Sequence, residues 1–423
     1  MKHSVRQNRF LVLSNWLFTI AILASSLTGA AFADGPERAL HRFKLQSGNM
    51  PMYYGGRLAM DKSGNLYGTT EQDGSRRANC GTVYELTPSS DKRTWTNTVL
   101  YHFAGGTDGC GPESGVTFDS AGNLYGTTWS GGSLGNGTIY ELVPQPGGDW
   151  TEQVLYSFPD YNDGWFPVSL ILDKAGNLYG AMPGYPNGYG EVFELIPGEG
   201  GVWTYNVVYA FQNGPDGELP LGGLTMDKSE NLYGTTFGAS GDCRRSGCGT
   251  IFRLKRPTNN GDPWSKTVLY RFTGEDDGAV PAGGVTFDAA GNLFCTTEYG
   301  GNSIGDGTVF ELKRDGTHSV IHAFDRTTEG FRPMSRVVFD DAGNLYGSTF
   351  FSRGAGSGAI FKLSPDGTGG WIATTLYSFT GGMDGGIDPS SPILGPLQRV
   401  LYGTTAGGGF PTGTGVVFGI LLH

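Results

Sequence analysis

Two glutamates stand where sugar chemistry could be done. Glu71 and Glu298 each follow a Thr-Thr pair, Thr69-Thr70 and Thr296-Thr297. Glycoside hydrolysis needs two carboxylates at a set separation, one as acid and one as base or nucleophile. Spacing along the chain does not fix that separation, so these two are candidates for hydrolase or lyase chemistry and no more. Other constellations are thin. The chain holds 6 histidines, and none of them forms a His-Glu-x-x-His run. There is also no Cys-x-x-Cys pair and no phosphate-binding glycine loop ending in Lys-Ser or Lys-Thr. His41, His102 and His322 fall in segments read below as outer strands, which leaves a histidine triad at the centre of the molecule with few members.

A second group could bind rather than react. Trp129, Trp165, Phe166, Phe237, Tyr299 and Phe350 occur at places where the rest of the chain has no consistent ring. Aromatic faces stack on sugar C–H groups while neighbouring amides and carboxylates take the hydroxyls. The plain alternative is that each ring packs between loops. Asp108, Asp163, Asp216, Asp277 and Asp384, with Glu329, each precede a glycine, usually with proline three residues later. A ring of such acids could hold calcium or form a negative funnel. Asp-Gly-x-x-Pro is also what a turn with a side-chain cap needs, and that reading accounts for every position. No motif calls for any other cofactor. The 5 cysteines leave at least one unpaired within a single chain. Cys243 with Cys248, and Cys80 with Cys110, are the candidate disulfides, and Cys295 is expected as a buried thiol.

Composition narrows the setting. With 38% hydrophobic and 16% charged residues the chain is a folding one. Its 72 glycines follow no collagen period, so they fit many short strands joined by tight turns. Net charge is −11, and Lys2, Arg6 and Arg9 with no acid in residues 1–33 make the remainder more acidic still. That balance argues against nucleic acid and anionic lipid as partners. Residues 1–33 read as a cleavable signal: a basic start, an apolar stretch from Phe10 to Leu27, then Ala31-Phe32-Ala33. Secretion or a periplasmic location follows, with no membrane association after cleavage and with disulfides permitted.

The elements that must position these residues are written as repeats. The leucine of Asn-Leu-Tyr-Gly recurs at Leu66, Leu124, Leu178, Leu232, Leu293, Leu345 and Leu401. Each unit carries four runs rich in β-branched and aromatic residues, bounded by Gly, Pro, Asn and Asp. In the fourth unit these are Gly223 to Met226, Asn231 to Thr236, Gly249 to Leu254 and Thr267 to Phe272, here called strands a, b, c and d. Four antiparallel strands per unit make one propeller blade. The a–b turn, Asp119-Ser120-Ala121-Gly122-Asn123 for example, has a capping Asp and a left-handed Gly. The last unit lacks strand d, while Leu40-His41-Arg42-Phe43 matches the d pattern of Leu100-Tyr101-His102-Phe103. The N-terminal segment is therefore expected to complete the seventh blade and remove the open sheet edges. The reading is an all-β, seven-bladed propeller in one domain, residues 34–423.

The units resemble the GloVer tandem-repeat proteins, exported bacterial proteins of the form Gly-Asn-Leu-Tyr-Gly-Thr-Thr, Gly-Thr-Val-Phe-Glu-Leu and Val-Leu-Tyr-x-Phe. Gly122 to Thr128, Gly307 to Leu312 and Val154 to Phe158 carry the likeness. The resemblance implies a cell-surface or extracellular protein with no particular activity. Geometry then separates two faces: a–b turns and c–d connections on one, b–c loops and d–a links on the other. Trp129, Trp165, Phe166, Phe237, Tyr299, Phe350, Glu71 and Glu298 all fall on the second, the face where the repeats differ. The expectation is a secreted binding propeller engaging a glycan or an extracellular protein there. A carbohydrate-active enzyme and a structural envelope component are the alternatives.

Overall fold

Each repeat folds as an antiparallel sheet, and seven sheets form the blades of a β-propeller. The computed structural model describes residues 37–43, 49–51, 57–72, 79–158, 167–184, 188–212, 214–238, 248–259, 261–353, 356–386, 389–409 and 414–422. In the fourth blade the strands are Thr225–Met226, Leu232–Thr236, Thr250–Lys255 and Ser265–Arg271. Strand a is shorter than its sequence pattern. Gly223 takes a left-handed φ of 68°, which turns the backbone out of the ladder before Leu224.

The repeat motif is an interlock. Its leucine is buried in every blade. Its glycine leaves room for an aromatic ring on strand c: a Cβ on Gly126 would sit 2.3 Å from the Tyr140 hydroxyl, and one on Gly180 2.3 Å from the tip of Phe193. The second threonine meets the first threonine of strand c, as in Thr70 with Thr82 and Thr128 with Thr138, both at 2.8 Å. The first threonine can reach the next blade. Thr127 Oγ1 donates to the Pro167 carbonyl at 2.7 Å and Thr296 Oγ1 to the Ser335 carbonyl at 2.9 Å. At the a–b turn the Asp119 carboxylate accepts from the Ala121 and Asn123 amides at 2.8 and 2.9 Å and from the Asn123 side chain at 2.9 Å. Asp61, Asp173, Asp227 and Asp340 do the same.

The tryptophans that open strand d join blades. Trp95 packs edge-on against Tyr402 at 5.8 Å, Trp203 against Tyr125 at 6.4 Å and Trp264 against Tyr179 at 5.9 Å. The tyrosine of Asn-Leu-Tyr-Gly is thus the receptor for the neighbouring blade's indole.

The ring closes as the sequence implied. Glu37–Arg42 pairs antiparallel with Val416–Leu421, from Glu37 opposite Ile420 to Arg42 opposite Val416. Phe43 follows into the core and meets Tyr84 of the first blade edge-on at 5.1 Å. The repeat pattern does not announce one addition: Asn49–Pro51 pairs with Leu66–Gln72 as a further strand of the first blade.

Cys80 and Cys110 form a disulfide. Cys248 is also disulfide-bonded, and its expected partner Cys243 lies outside the described residues. Cys295 is a buried free thiol opposite Phe310, and burial pushes its pKa well above the ordinary thiol value.

Candidate functional site

The variable loops share one face because they hydrogen-bond to each other. Four d–a links form a bridge to the b–c loop of the blade they enter: Cys110 with Ser130, Glu218 with Gly238, Ala279 with Tyr299 and Phe331 with Phe351. Within that pairing the residue after strand b is held by its amide. Trp129 donates to Gly111, Phe237 to Leu219, Glu298 to Val280 and Phe350 to Arg332, each at 2.9 Å. Trp129, Phe237, Glu298 and Phe350 are therefore one ring position in four different blades, and Glu71 holds the matching place after the threonine pair, inside the longer strand Leu66–Gln72 of the first blade.

Their surroundings differ. Trp129 is 45% exposed, while Glu298 is 7% exposed. Glu298 lies 3.7 Å from the Arg332 guanidinium. Burial pushes its pKa up, against the opposing Tyr299 hydrogen bond and the Arg332 charge. Arg332 stacks over Tyr299 at 4.6 Å, and Phe331, Phe350 and Phe351 pack ring to ring beside it at 4.7 to 4.9 Å. The fifth and sixth blades thus bring Glu298, Tyr299 and Phe350 into one aromatic and arginine cluster. Glu71 belongs to the first blade. Its neighbour is Glu113, whose pKa burial and the Glu71 charge push up to about 7. Sequence reasoning passed over Glu113. The available signal was that Leu221, Ala282 and Met334 follow the link proline where Glu113 follows Pro112.

The acidic residues of the d–a links cap turns and tie them to strand d. Asp108 accepts from the Tyr101 hydroxyl at 2.6 Å. Asp277 accepts from Tyr270 at 2.9 Å and the Thr273 amide at 2.8 Å. Asp384 accepts from Tyr377 and the Thr380 amide, both at 2.8 Å. Asp216 accepts from Tyr209 at 2.8 Å and also pairs with Lys266 at 2.7 Å. Glu329 meets His322 at 2.9 Å. These carboxylates are engaged one by one, and among the described residues no three His, Cys, Asp or Glu side chains gather as a metal-holding group. Asp163, Trp165 and Phe166 lie outside the described residues.

The central channel holds what the loop face does not. A cavity of about 430 Å³ is lined by the inner strands of several blades, with Ser114, Ser169 and Ser391 beside Met60, Phe118 and Ile171. A second space of about 270 Å³ adjoins Thr225, Thr286 and Phe287. Arg57 and Arg336 line both. They occupy one ring position at the start of the inner-strand segment, where the other blades have Gly115, Ser169, Gly223, Gly284 and Ser391. Comparing the repeats there would have found them.

No curated protein sequence matches the chain. Solved structures similar to it are propeller-containing proteins at low identity. An ancestral GH74 enzyme matches with a TM-score of 0.59 at 12% identity, over 89% of this chain and 48% of that one. A puromycin hydrolase gives 0.54 at 10% identity, over 85% and 50%. PorZ, a surface component of the type-IX secretion system of Porphyromonas gingivalis, gives 0.51 at 14% identity, over 89% and 47%. The chain spans about half the length of these proteins, and at such identity the likeness concerns the fold. The sequence pattern of the Gloeobacter/Verrucomicrobia repeat matches residues 53–305 and 287–422, which together take in nearly all of the described propeller. The chain belongs to the Gloeobacter/Verrucomicrobia repeat family.

Proposed function

We propose that this protein is an exported binding propeller whose b–c and d–a loop face engages an extracellular glycan, with an extracellular protein as the other partner class. The observation that carries the reading is Trp129. The residue is 45% exposed although its backbone is fixed by the hydrogen bond from its N–H to the Gly111 carbonyl and by the Cys110–Ser130 bridge next to a disulfide. A rigid, exposed ring loses little entropy on binding. Leu134, Ile304 and Met383 are further exposed apolar side chains of the loops and links on that face. The Cys80–Cys110 disulfide suits an oxidising compartment, in line with a signal in residues 1–33. Among the described residues no helix is long and apolar enough to cross a membrane. Retention of the chain on a glycan array, lost in Trp129→Ala and kept in Glu71→Gln, supports this reading. Equal retention by the wild type and Trp129→Ala overturns it.

One observation favours a second reading, a carbohydrate-active hydrolase. Burial and the Glu71 charge push the Glu113 carboxyl up to about 7, and burial raises Glu71 as well; a carboxyl held protonated near neutral pH is what acid catalysis on sugars requires. Polysaccharide turnover abolished in both Glu71→Gln and Glu113→Gln would establish it.

A further inference from the structure

Arg57 and Arg336 are unusual in what they lack. Both are inner-channel side chains of an acidic protein, and among the described residues no carboxylate, histidine or lysine lines either cavity with them. Arg336 donates to the Gly222 and Leu224 carbonyls at 3.1 and 3.2 Å. Those bonds fix its guanidinium and leave its charge unneutralised. Arg57 is open to channel water yet lies deep among protein atoms. Among the described residues it forms no ion pair, and no side-chain hydrogen bond of its guanidinium accounts for its place there. Two guanidiniums sharing a low-dielectric space without a counter-charge oppose each other. Burial lowers the pKa of both, and the Arg57 charge adds to the effect at Arg336, which falls to about 9. Glycine at Gly223 and Gly284 makes room for this. A Cβ on Gly284 would lie 2.8 Å from Arg336 Nη2 and one on Gly223 3.5 Å from it.

We infer that the channel is a binding site for a small anionic ligand, with Arg57 and Arg336 holding its carboxylate, sulfate or phosphate group. Guanidinium forks match the planar or tetrahedral oxygens of such groups in two-point hydrogen bonds. Ser114, Ser169 and Ser391 add hydroxyls around the cavity, while Met60, Phe118, Ile171 and Ile393 supply apolar surface along the same inner strands. A space of about 430 Å³ falls at the small end of ligand pockets. An acidic monosaccharide unit meets these requirements together, its anionic group on the arginines and its C–H face on the rings and aliphatic side chains. The site is distinct from the loop face and does not depend on that face binding anything.

Calorimetric titration of the full chain with galacturonate, glucose 6-sulfate, glucose 6-phosphate, inorganic sulfate and neutral galactose tests this. The expected result is binding of at least one anionic probe, none of galactose, and a loss of about tenfold or more in Arg57→Gln. The same variant should melt no lower than the wild type, because it removes an unpaired charge beside Arg336. Trp129→Ala should bind the anion unchanged. Which probe binds assigns the group: the uronate a carboxylate, the sugar esters or free sulfate an oxyanion. Absence of binding by every anion, or equal binding by Arg57→Gln and the wild type, would overturn the inference. Where Arg57→Gln melts lower than the wild type, Arg57→Lys separates the two causes: keeping the charge, it should bind the anion within about tenfold of the wild type, and a folded Arg57→Met that binds as tightly as the wild type would overturn the inference.

Discussion

Two ring positions of the propeller, one at each end of the a and b strands, obey opposite rules to the frame between them. Inside the frame the seven units agree. Leu66, Leu124 and Leu178 are buried alike, and the Thr70–Thr82 bond is repeated by Thr128–Thr138, Thr236–Thr250 and Thr297–Thr308. Five residues after the leucine of strand b the blades carry Glu71, Trp129, Pro183, Phe237, Glu298, Phe350 and Ala406. At the start of the inner-strand segment they carry Arg57, Gly115, Ser169, Gly223, Gly284, Arg336 and Ser391. At the second position Gly115, Ser169, Gly223 and Gly284 take left-handed φ values of 74°, 37°, 68° and 71° while Arg57, Arg336 and Ser391 do not, so the glycines there answer to the backbone and the two arginines stand apart from them. A repeat protein can place unlike chemistry on a like scaffold.

The contrast can be broken first on the frame side. Removing residues 37–43 deletes the strand paired with Val416–Leu421 and strips Phe43 from the core. An open ring with an exposed edge should lose its single cooperative thermal transition and associate at higher concentration, which calorimetry and light scattering would register. A retained transition at the wild-type temperature would show that closure is not what holds the ring. Leu124→Ala should be next in effect, at about 2–5 kcal/mol by denaturant titration, since the site is fully buried between strands.

Glu113 sharpens the contrast from the variable side. Its pKa rises from the ordinary carboxylate value to about 7 because burial and Glu71 disfavour its charge in the fold. Below about pH 4 the carboxyl is neutral in both folded and unfolded chains, so Glu113→Gln should leave the melting temperature unchanged there. As pH rises through the window up to about 7, the unfolded chain ionises first and the native protein loses stability. At about pH 8 the variant should therefore melt higher than the wild type. A variant that melts lower at that pH would mean the carboxylate is stabilising, contrary to the assigned environment.

Much of this was legible in the sequence because a repeat states the same physics several times. Asp-x-x-Gly-Asn gave the capped turn, and the missing last strand with its match at Leu40 to Phe43 gave the closure. Cys80 and Cys110 were a candidate pair by their shared face, and they form a disulfide. What stayed hidden depended on the ring rather than on the unit. Trp203 packs on Tyr125 of the preceding blade, and no local pattern says which surface an indole will meet. Arg57 and Arg336 are far apart in the chain, and the channel alone makes them neighbours. Glu113 gained its character from burial and from the charge of Glu71, neither of which its own repeat announces. The Asn49–Pro51 strand belongs to no repeat, so the periodicity was silent about it.

The claim that the disagreeing positions carry function while the agreeing ones carry the fold is tested most directly by glycan-array binding of the wild type and Trp129→Ala, each checked by its melting temperature. The account predicts an unchanged melting temperature and a loss of retention of about tenfold in the variant. Unchanged retention, or a loss that only follows unfolding, would contradict it.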